Sequence, residues 1–138
     1  MDLVYNKNCF GCGPENPIGL HLNIEWSDQT QIATATFQFT KEHASWHDTV
    51  HGGLVGLVLD EVIGWASWYQ LQTSTVTARL NIRFRKPVAP YVPLRVDAKV
   101  ADTGKRHMVG KGSLKTTDDM LLAEAEAVLM IPQTESEK

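Results

Sequence analysis

Residues 52 to about 70 carry apolar side chains in almost every direction a helix can point: Leu54, Val55, Leu57, Val58, Leu59, Val62, Ile63, Trp65, Ala66, Trp68 and Tyr69. A helix without a broad polar stripe has no face to give to water, so the rest of the chain must wrap around it. One line of residues breaks the pattern. Gly53, Gly56, Asp60, Gly64 and Ser67 recur at spacings of three and four and therefore share a face that is small throughout and carries a single carboxylate. Glu61 follows Asp60 directly, about 100° further around the helix, so the two acids cannot serve one site as an equivalent pair. The same two acids interrupt the apolar run, and from Leu54 to Tyr69 it falls short of the ~20 residues needed to cross a bilayer.

The flanking sequence supplies the wrapping. Leu20, Leu22, Ile24 and Trp26 alternate with polar residues over 20 to 27, the period of a half-buried strand, and Ala33, Ala35, Phe37 and Phe39 do the same over 31 to 39. Ser27-Asp28-Gln29-Thr30 between them has hairpin-turn chemistry. Residues 40 to 51 carry no period and read as a loop. After the helix, Val76, Ala78, Leu80, Ile82 and Phe84 occupy one face of a strand, and Thr75, Thr77, Arg79, Asn81, Arg83 and Arg85 the other, ending at Pro87. Leu94, Val96, Ala98 and Val100 mark the next strand. Strands over 107 to 116 and 121 to 131 flank the turn Thr117-Asp118-Asp119, with Glu124 and Glu126 placed to face Lys111 or Lys115.

These elements predict an α+β fold in the order β-β-α-β-β-β-β, a single antiparallel sheet wrapped around one long central helix. At 138 residues the chain forms one domain whose core needs no disulfide or structural metal. The expected organisation is a Cys/Gly-rich N-terminal segment over 1–19, the domain over 20–132 and a polar tail over 133–138. A formal charge of -3 argues against a general nucleic-acid binder, whose affinity comes from neutralising phosphates. The first residues lack the basic and apolar regions of a secretory signal, so a cytoplasmic location is expected.

His51-Gly52-Gly53-Leu54-Val55-Gly56-Leu57-Val58-Leu59-Asp60-Glu61, placed after a β-hairpin and opening a buried helix, resembles the signature of hotdog-fold acyl-CoA thioesterases of the phenylacetate-pathway and 4-hydroxybenzoyl-CoA types. Cys9-Phe10-Gly11-Cys12-Gly13 with Asn16-Pro17-Ile18-Gly19-Leu20 is similar to the N-terminal segment of one branch, and Ala78 to Pro87 resembles its third strand. Three ordered matches are far more specific than His-Gly-Gly alone. The resemblance implies that Asp60, nine residues after His51, is nucleophile or general base toward the thioester carbonyl. It also implies that the Gly52 amide at the helix N-terminus is the oxyanion donor, a role that the helix dipole reinforces. His51 and Gly52 of one subunit would then face Asp60 of another across a dimer interface. Thr77 best matches the third-strand Ser or Thr that places the attacking water. Many relatives carry Asn or Gln six residues before the histidine, where this chain has Ser45.

Each residue also has a plainer reading. Asp60 is either catalytic or a structural aspartate that caps a loop amide or pairs with an arginine. Gly56 and Gly64 are expected to permit close packing, and His51, counted with Asp60, Gly52 and Thr77 in the catalytic set, either carries a proton or holds the loop. Gly53, Ser45 and Trp46 are candidates to line the substrate site, and Arg79, Arg83 and Arg85, with Lys86, Lys105 and Arg106, to receive coenzyme A phosphates, against the alternative of a solvated sheet face. Trp46, Trp65, Trp68 and Tyr69 either pack the core or stack on an acyl group. Cys9 and Cys12 have the spacing of half a metal motif but no second cysteine pair, His21 being the nearest further ligand, and no metal site is expected. The resulting expectation is a cofactor-free thioesterase acting on an acyl-CoA as a homodimer or homotetramer. The alternatives are a hotdog-fold dehydratase or hydratase and a non-catalytic acyl-CoA-binding module.

Overall fold

A computed structural model describes residues 5–133. The central helix α1 runs from Gly52 to Leu71. His51 caps its start, with Nδ1 accepting the Gly53 amide at 2.9 Å, and Gln72 ends it in the left-handed conformation (φ 56°). The strands are β1 (Glu25–Ser27), β2 (Ile32–Phe37), β3 (Val76–Phe84), β4 (Leu94–Thr103), β5 (His107–Thr116) and β6 (Leu121–Met130). They form one antiparallel sheet in the order β1-β2-β4-β5-β6-β3, which leaves β1 and β3 at the edges. The expected α+β arrangement and the order β-β-α-β-β-β-β are both present. No helix among the described residues is long and apolar enough to cross a membrane.

The core lies between α1 and the inner face of the sheet. Val58, Leu59, Val62 and Ile63 are completely buried, as are Ala33, Val96, Met108, Leu114, Ala123 and Leu129 on the strands. Each large aliphatic side chain contributes about 1.5–3 kcal/mol on full burial. The helix comes close to β5 because Gly110 and Gly112 lie beneath Ile63; a Cβ on Gly110 would stand 2.5 Å from Ile63 Cγ2. On its other side α1 is only half-buried, at Leu57, Trp65, Trp68 and Tyr69, and is covered in part by the N-terminal segment, with Tyr5 edge-on to Trp65 at 6.1 Å. The sequence pattern had implied burial around most of the circumference.

Three local expectations are corrected. Only Glu25–Ser27 of the first predicted strand joins the sheet, because the Leu20 and Leu22 amides instead donate to the Phe10 and Gly11 carbonyls, with His21 left-handed between them (φ 51°). The 40–51 loop holds a short 3₁₀ turn, Lys41–His43, and its end is tied down by the Val50 amide on the Val88 carbonyl at 2.7 Å. Glu126 faces Lys111 at 3.8 Å as expected, but Glu124 pairs with Arg85 at 2.8 Å rather than with a lysine. Of the polar tail, residues 134–138 lie outside the described residues.

Candidate active site

The small-residue stripe of α1 is the face on which edge strand β3 docks. A Cβ on Gly52 would meet Phe84 at 3.5 Å and one on Gly56 would meet the Ile82 methyl at 2.8 Å. Further along, the buried Ser67 hydroxyl hydrogen-bonds with Thr75 Oγ1 at 2.8 Å. Between these contacts stands the one carboxylate of the stripe: Thr77 Oγ1 donates to Asp60 Oδ1 at 2.7 Å.

Even alternation had assigned Thr77 to the same face as Arg79 and Arg83, and this is corrected. The pairing with β6 slips between Thr77 and Arg79, so that Thr77 opposes Leu129 while Arg79 opposes Val128. Ala78 is the extra residue of a β-bulge, which reverses the facing of everything before it. Thr77 therefore shares the inner face with Leu80 and Ile82, whose partners Ala127 and Ala125 are buried.

Asp60 and Thr77 line a cavity of about 290 Å³ with Glu61, Gly64, Trp65 and Trp68. Gly64 was expected to permit close packing, yet a Cβ there would meet nothing within 4 Å among the described residues; its lack of a side chain leaves this space open. Trp65 and Trp68 pack edge to face at 5.9 Å, and the Trp68 indole nitrogen is buried with no hydrogen-bond partner among the described residues. These two rings pack against one another and form part of the cavity wall.

His51 and Gly52 lie elsewhere. His51 is exposed and caps the helix, its Nδ1 accepting the Gly53 amide. The Gly52 amide, at the first helical position, donates no hydrogen bond among the described residues. Gly52 lines a separate cavity of about 380 Å³ with Val50, Phe84 and Val88. Eight residues at about 1.5 Å each put Gly52 some ~12 Å from Asp60 along one helix. Ser45 and Trp46 sit in the exposed 40–51 loop, Trp46 at 83% exposure, and neither lines the Asp60 cavity; Gly53 is exposed beside His51. Arg79 and Arg83 are exposed on the outer sheet face without an ion pair among the described residues, whereas Arg85 is held by Glu124. A cavity of about 940 Å³ forms a groove on that outer face lined by both signs of charge, among them Arg83, Lys111, Glu124 and Glu126. It contains neither Asp60 nor Thr77.

The sequence reading left Glu61 without a role. Its carboxylate receives the Cys9 thiol at 3.4 Å and the Trp65 indole N–H at 3.3 Å. Burial and the neighbouring Glu61 carboxylate push the Cys12 thiol well above its ordinary range. The available sequence signals were the Glu61/Trp65 spacing of one helical turn and the cysteine pair; what brings them together is a tertiary contact.

The sequence matches the family model described as thioesterase superfamily over residues 47–123, a span that holds His51, Gly52, Asp60 and Thr77. No curated protein matches it. Among solved structures, a thioesterase superfamily protein is similar at a TM-score of 0.80 and 25% identity over 86% of this chain, which spans 60% of that protein's length. A phenylacetic acid degradation-related protein of Ralstonia eutropha JMP134 gives a TM-score of 0.71 and 27% identity, covering 81% of this chain and 86% of that one. A Streptococcus mutans UA159 protein, solved bound to acetyl CoA, gives 0.74 and 15% over 82% of this chain and 90% of that one. The helix wrapped by one antiparallel sheet is the hotdog arrangement that the resemblance implied.

Proposed function

The chain belongs to the thioesterase superfamily, and from that premise we propose that it hydrolyses an acyl- or aryl-CoA thioester to the free acid and coenzyme A, with Asp60 as the activating carboxylate. The observation that carries this reading is the 2.7 Å hydrogen bond from Thr77 to Asp60 on the wall of a cavity large enough for an acyl group. Thr77 fixes Oδ1, and Oδ2 has no partner among the described residues. In the proposed reaction Oδ2 accepts a proton from water as the water oxygen bonds to the carbonyl carbon. The C–S bond of the tetrahedral intermediate then breaks, and the thiolate leaves with the proton that Asp60 took up. Trp65 and Trp68 give the acyl group an apolar wall.

The oxyanion needs a fixed donor about 3 Å away, and Gly52 of the same chain is too distant to serve. A second copy that brings its His51-Gly52 helix start against Asp60 completes the site. Two features support this assembly: the unpaired edge of β3 and the exposure of Val76 (64%) and Phe84 (53%) on it. Bound acetyl CoA in the Streptococcus mutans relative supports the ligand class. Arg79 and Arg83, at the edge of the sheet, are the cations proposed for the coenzyme A phosphates.

The test is thiol release from short, long and aryl acyl-CoA esters by the parent protein and by Asp60→Asn at matched folding and oligomeric state. Turnover by the parent that disappears in the variant, with ester binding retained, is the expected result. Ester binding without thiol release by the parent overturns the reading in favour of a binding module or of chemistry on the acyl chain.

A further inference from the structure

The proposed hydrolysis makes no use of Cys9, Cys12 or Glu61, yet the fold gathers these three residues from the N-terminal turn and the middle of α1. One donor atom from each lies within 4.8 Å of the others, and all three residues are half-buried. The gathering is built rather than incidental. Gly11 separates the two cysteines, and a Cβ there would stand 2.6 Å from the Glu61 carboxyl carbon. The turn thus leaves a slot shaped for a side chain from the helix, and an acid fills it. Hydrogen bonds fix the turn in this form: the Gly13 amide to the Cys9 carbonyl at 2.8 Å, the Leu22 amide to the Gly11 carbonyl at 2.9 Å, and the Tyr5 hydroxyl to the Cys12 carbonyl at 3.0 Å.

Two thiols and a carboxylate drawn half out of water are a poor arrangement for stability alone. A thiol is a weak donor, and an apolar filler would satisfy the slot without desolvating a charge. The donor set instead matches a borderline-soft divalent cation. Around tetrahedral zinc, with bonds of about 2.3 Å to sulfur and about 2.1 Å to oxygen, the ligand atoms stand roughly 3.6–3.8 Å apart. The Cys9–Glu61 separation of 3.4 Å and the 4.8 Å limit on all three bracket that geometry. The Trp65 indole N–H on Glu61 Oε1 is the kind of outer hydrogen bond that orients a ligating carboxylate.

We propose that Cys9, Cys12 and Glu61 bind zinc(II), with water from the cavity they line in the fourth position. The ion ties the N-terminal turn to α1 one residue from Asp60, and it sits on the wall of the cavity that Asp60 and Thr77 also line. Thiolate ligands favour zinc over magnesium or calcium, which take oxygen. The assignment is independent of the hydrolytic reading, because its readout involves no thioester.

The experiment uses the full chain, reduced and stripped with a chelator, titrated with cobalt(II) alone and then with zinc(II) against a chromogenic chelator. One equivalent of cobalt should bind with a thiolate-to-cobalt charge-transfer band and tetrahedral d–d bands, zinc should displace it, and magnesium should not. The Cys9→Ser/Cys12→Ser variant should lose more than about 100-fold in affinity and the Glu61→Gln variant about 10-fold or more. If the double variant fails to fold, thiol alkylation of the parent replaces it, and zinc should protect both cysteines. Absence of the charge-transfer band at millimolar cobalt, unprotected thiols, or a Glu61→Gln variant with unchanged affinity overturns the proposal.

Discussion

The hydroxyl of Thr77 reaches the carboxylate of Asp60, at 2.7 Å, because over their paired stretch β3 carries one residue more than β6. Without the bulge at Ala78, Thr77 would stand on the outer face with Arg79 and Arg83, and the single carboxylate of the small-residue stripe would face a strand with nothing to offer it. The stripe and the bulge act together: Gly56 lets Ile82 come within contact of the helix, and the extra residue then turns Thr77 inward at the level of Asp60.

Replacing Asp60 with Asn keeps the shape and the acceptor oxygen for Thr77 but removes the proposed base. Loss of general-base catalysis should lower kcat by about 10²–10⁴-fold, with ester binding retained. A single turnover in H₂¹⁸O separates the two ways a carboxylate can act. Label found only in the product acid supports activation of water, whereas label found in Asp60 by mass spectrometry means direct attack through an acyl-enzyme anhydride.

Thr77→Val keeps the branched shape and removes the hydroxyl. A hydrogen bond to a charged group is worth about 1.5–3 kcal/mol, so kcat should fall roughly 10- to 100-fold with little change in the thermal midpoint, since Thr77 is exposed in the single chain. Thr77→Ser should restore most of the rate. Equal rates for the Val and Ser variants would show that the hydroxyl has no part in turnover.

Periodicity made the helix legible, because an element apolar in nearly every direction leaves few folds open. It made the sheet legible too, through the alternation around Ala33 and Val96. What it missed has a common cause. A bulge moves one residue across a face and leaves no mark on a pattern of period two, so Thr77 was named for its likeness to a family and placed on the wrong side of its strand. The first predicted strand shortened because backbone groups of Phe10 and Gly11 compete for Leu20 and Leu22, a tertiary choice invisible to local pattern. The Cys9–Glu61 contact spans 52 residues and depends on the space above Gly11.

Arg95 ties the β5–β6 turn to β4, its guanidinium donating to Asp119 at 2.7 Å and Asp97 at 3.0 Å. The guanidinium holds the Asp119 carboxyl below the usual carboxylate range. A carboxylate whose pKa is lowered on folding contributes stability that is fully present above its unfolded value, about 3.9, and is lost as the pH falls through the folded value. The urea midpoints of the parent and Asp119→Asn should therefore differ slightly at pH 6 and converge as the pH drops below about 4. Asparagine retains the left-handed backbone at this position (φ 71°), so the comparison isolates the charge. High salt should shrink the difference, because Asp119 is 71% exposed.

Two glycines should respond to alanine with opposite signs. At Gly110 the new methyl would stand 2.5 Å from Ile63 Cγ2, a buried β-branched side chain with no free rotamer, and overpacking of this kind costs about 1–3 kcal/mol. At Gly64, inside α1, a Cβ meets nothing within 4 Å, and alanine gains about 1 kcal/mol of helix propensity over glycine. Gly64→Ala should therefore raise the thermal midpoint by a few degrees while Gly110→Ala lowers it by several. The same methyl enters the cavity of Asp60 and Thr77, so Gly64→Ala should raise KM for bulky acyl esters more than for acetyl-CoA. A Gly64→Ala protein that is more stable but unchanged toward every ester would place the acyl group outside this cavity. One that is less stable, with the proposed dimer weakened in sedimentation, would mean that a second copy fills the space beside Gly64.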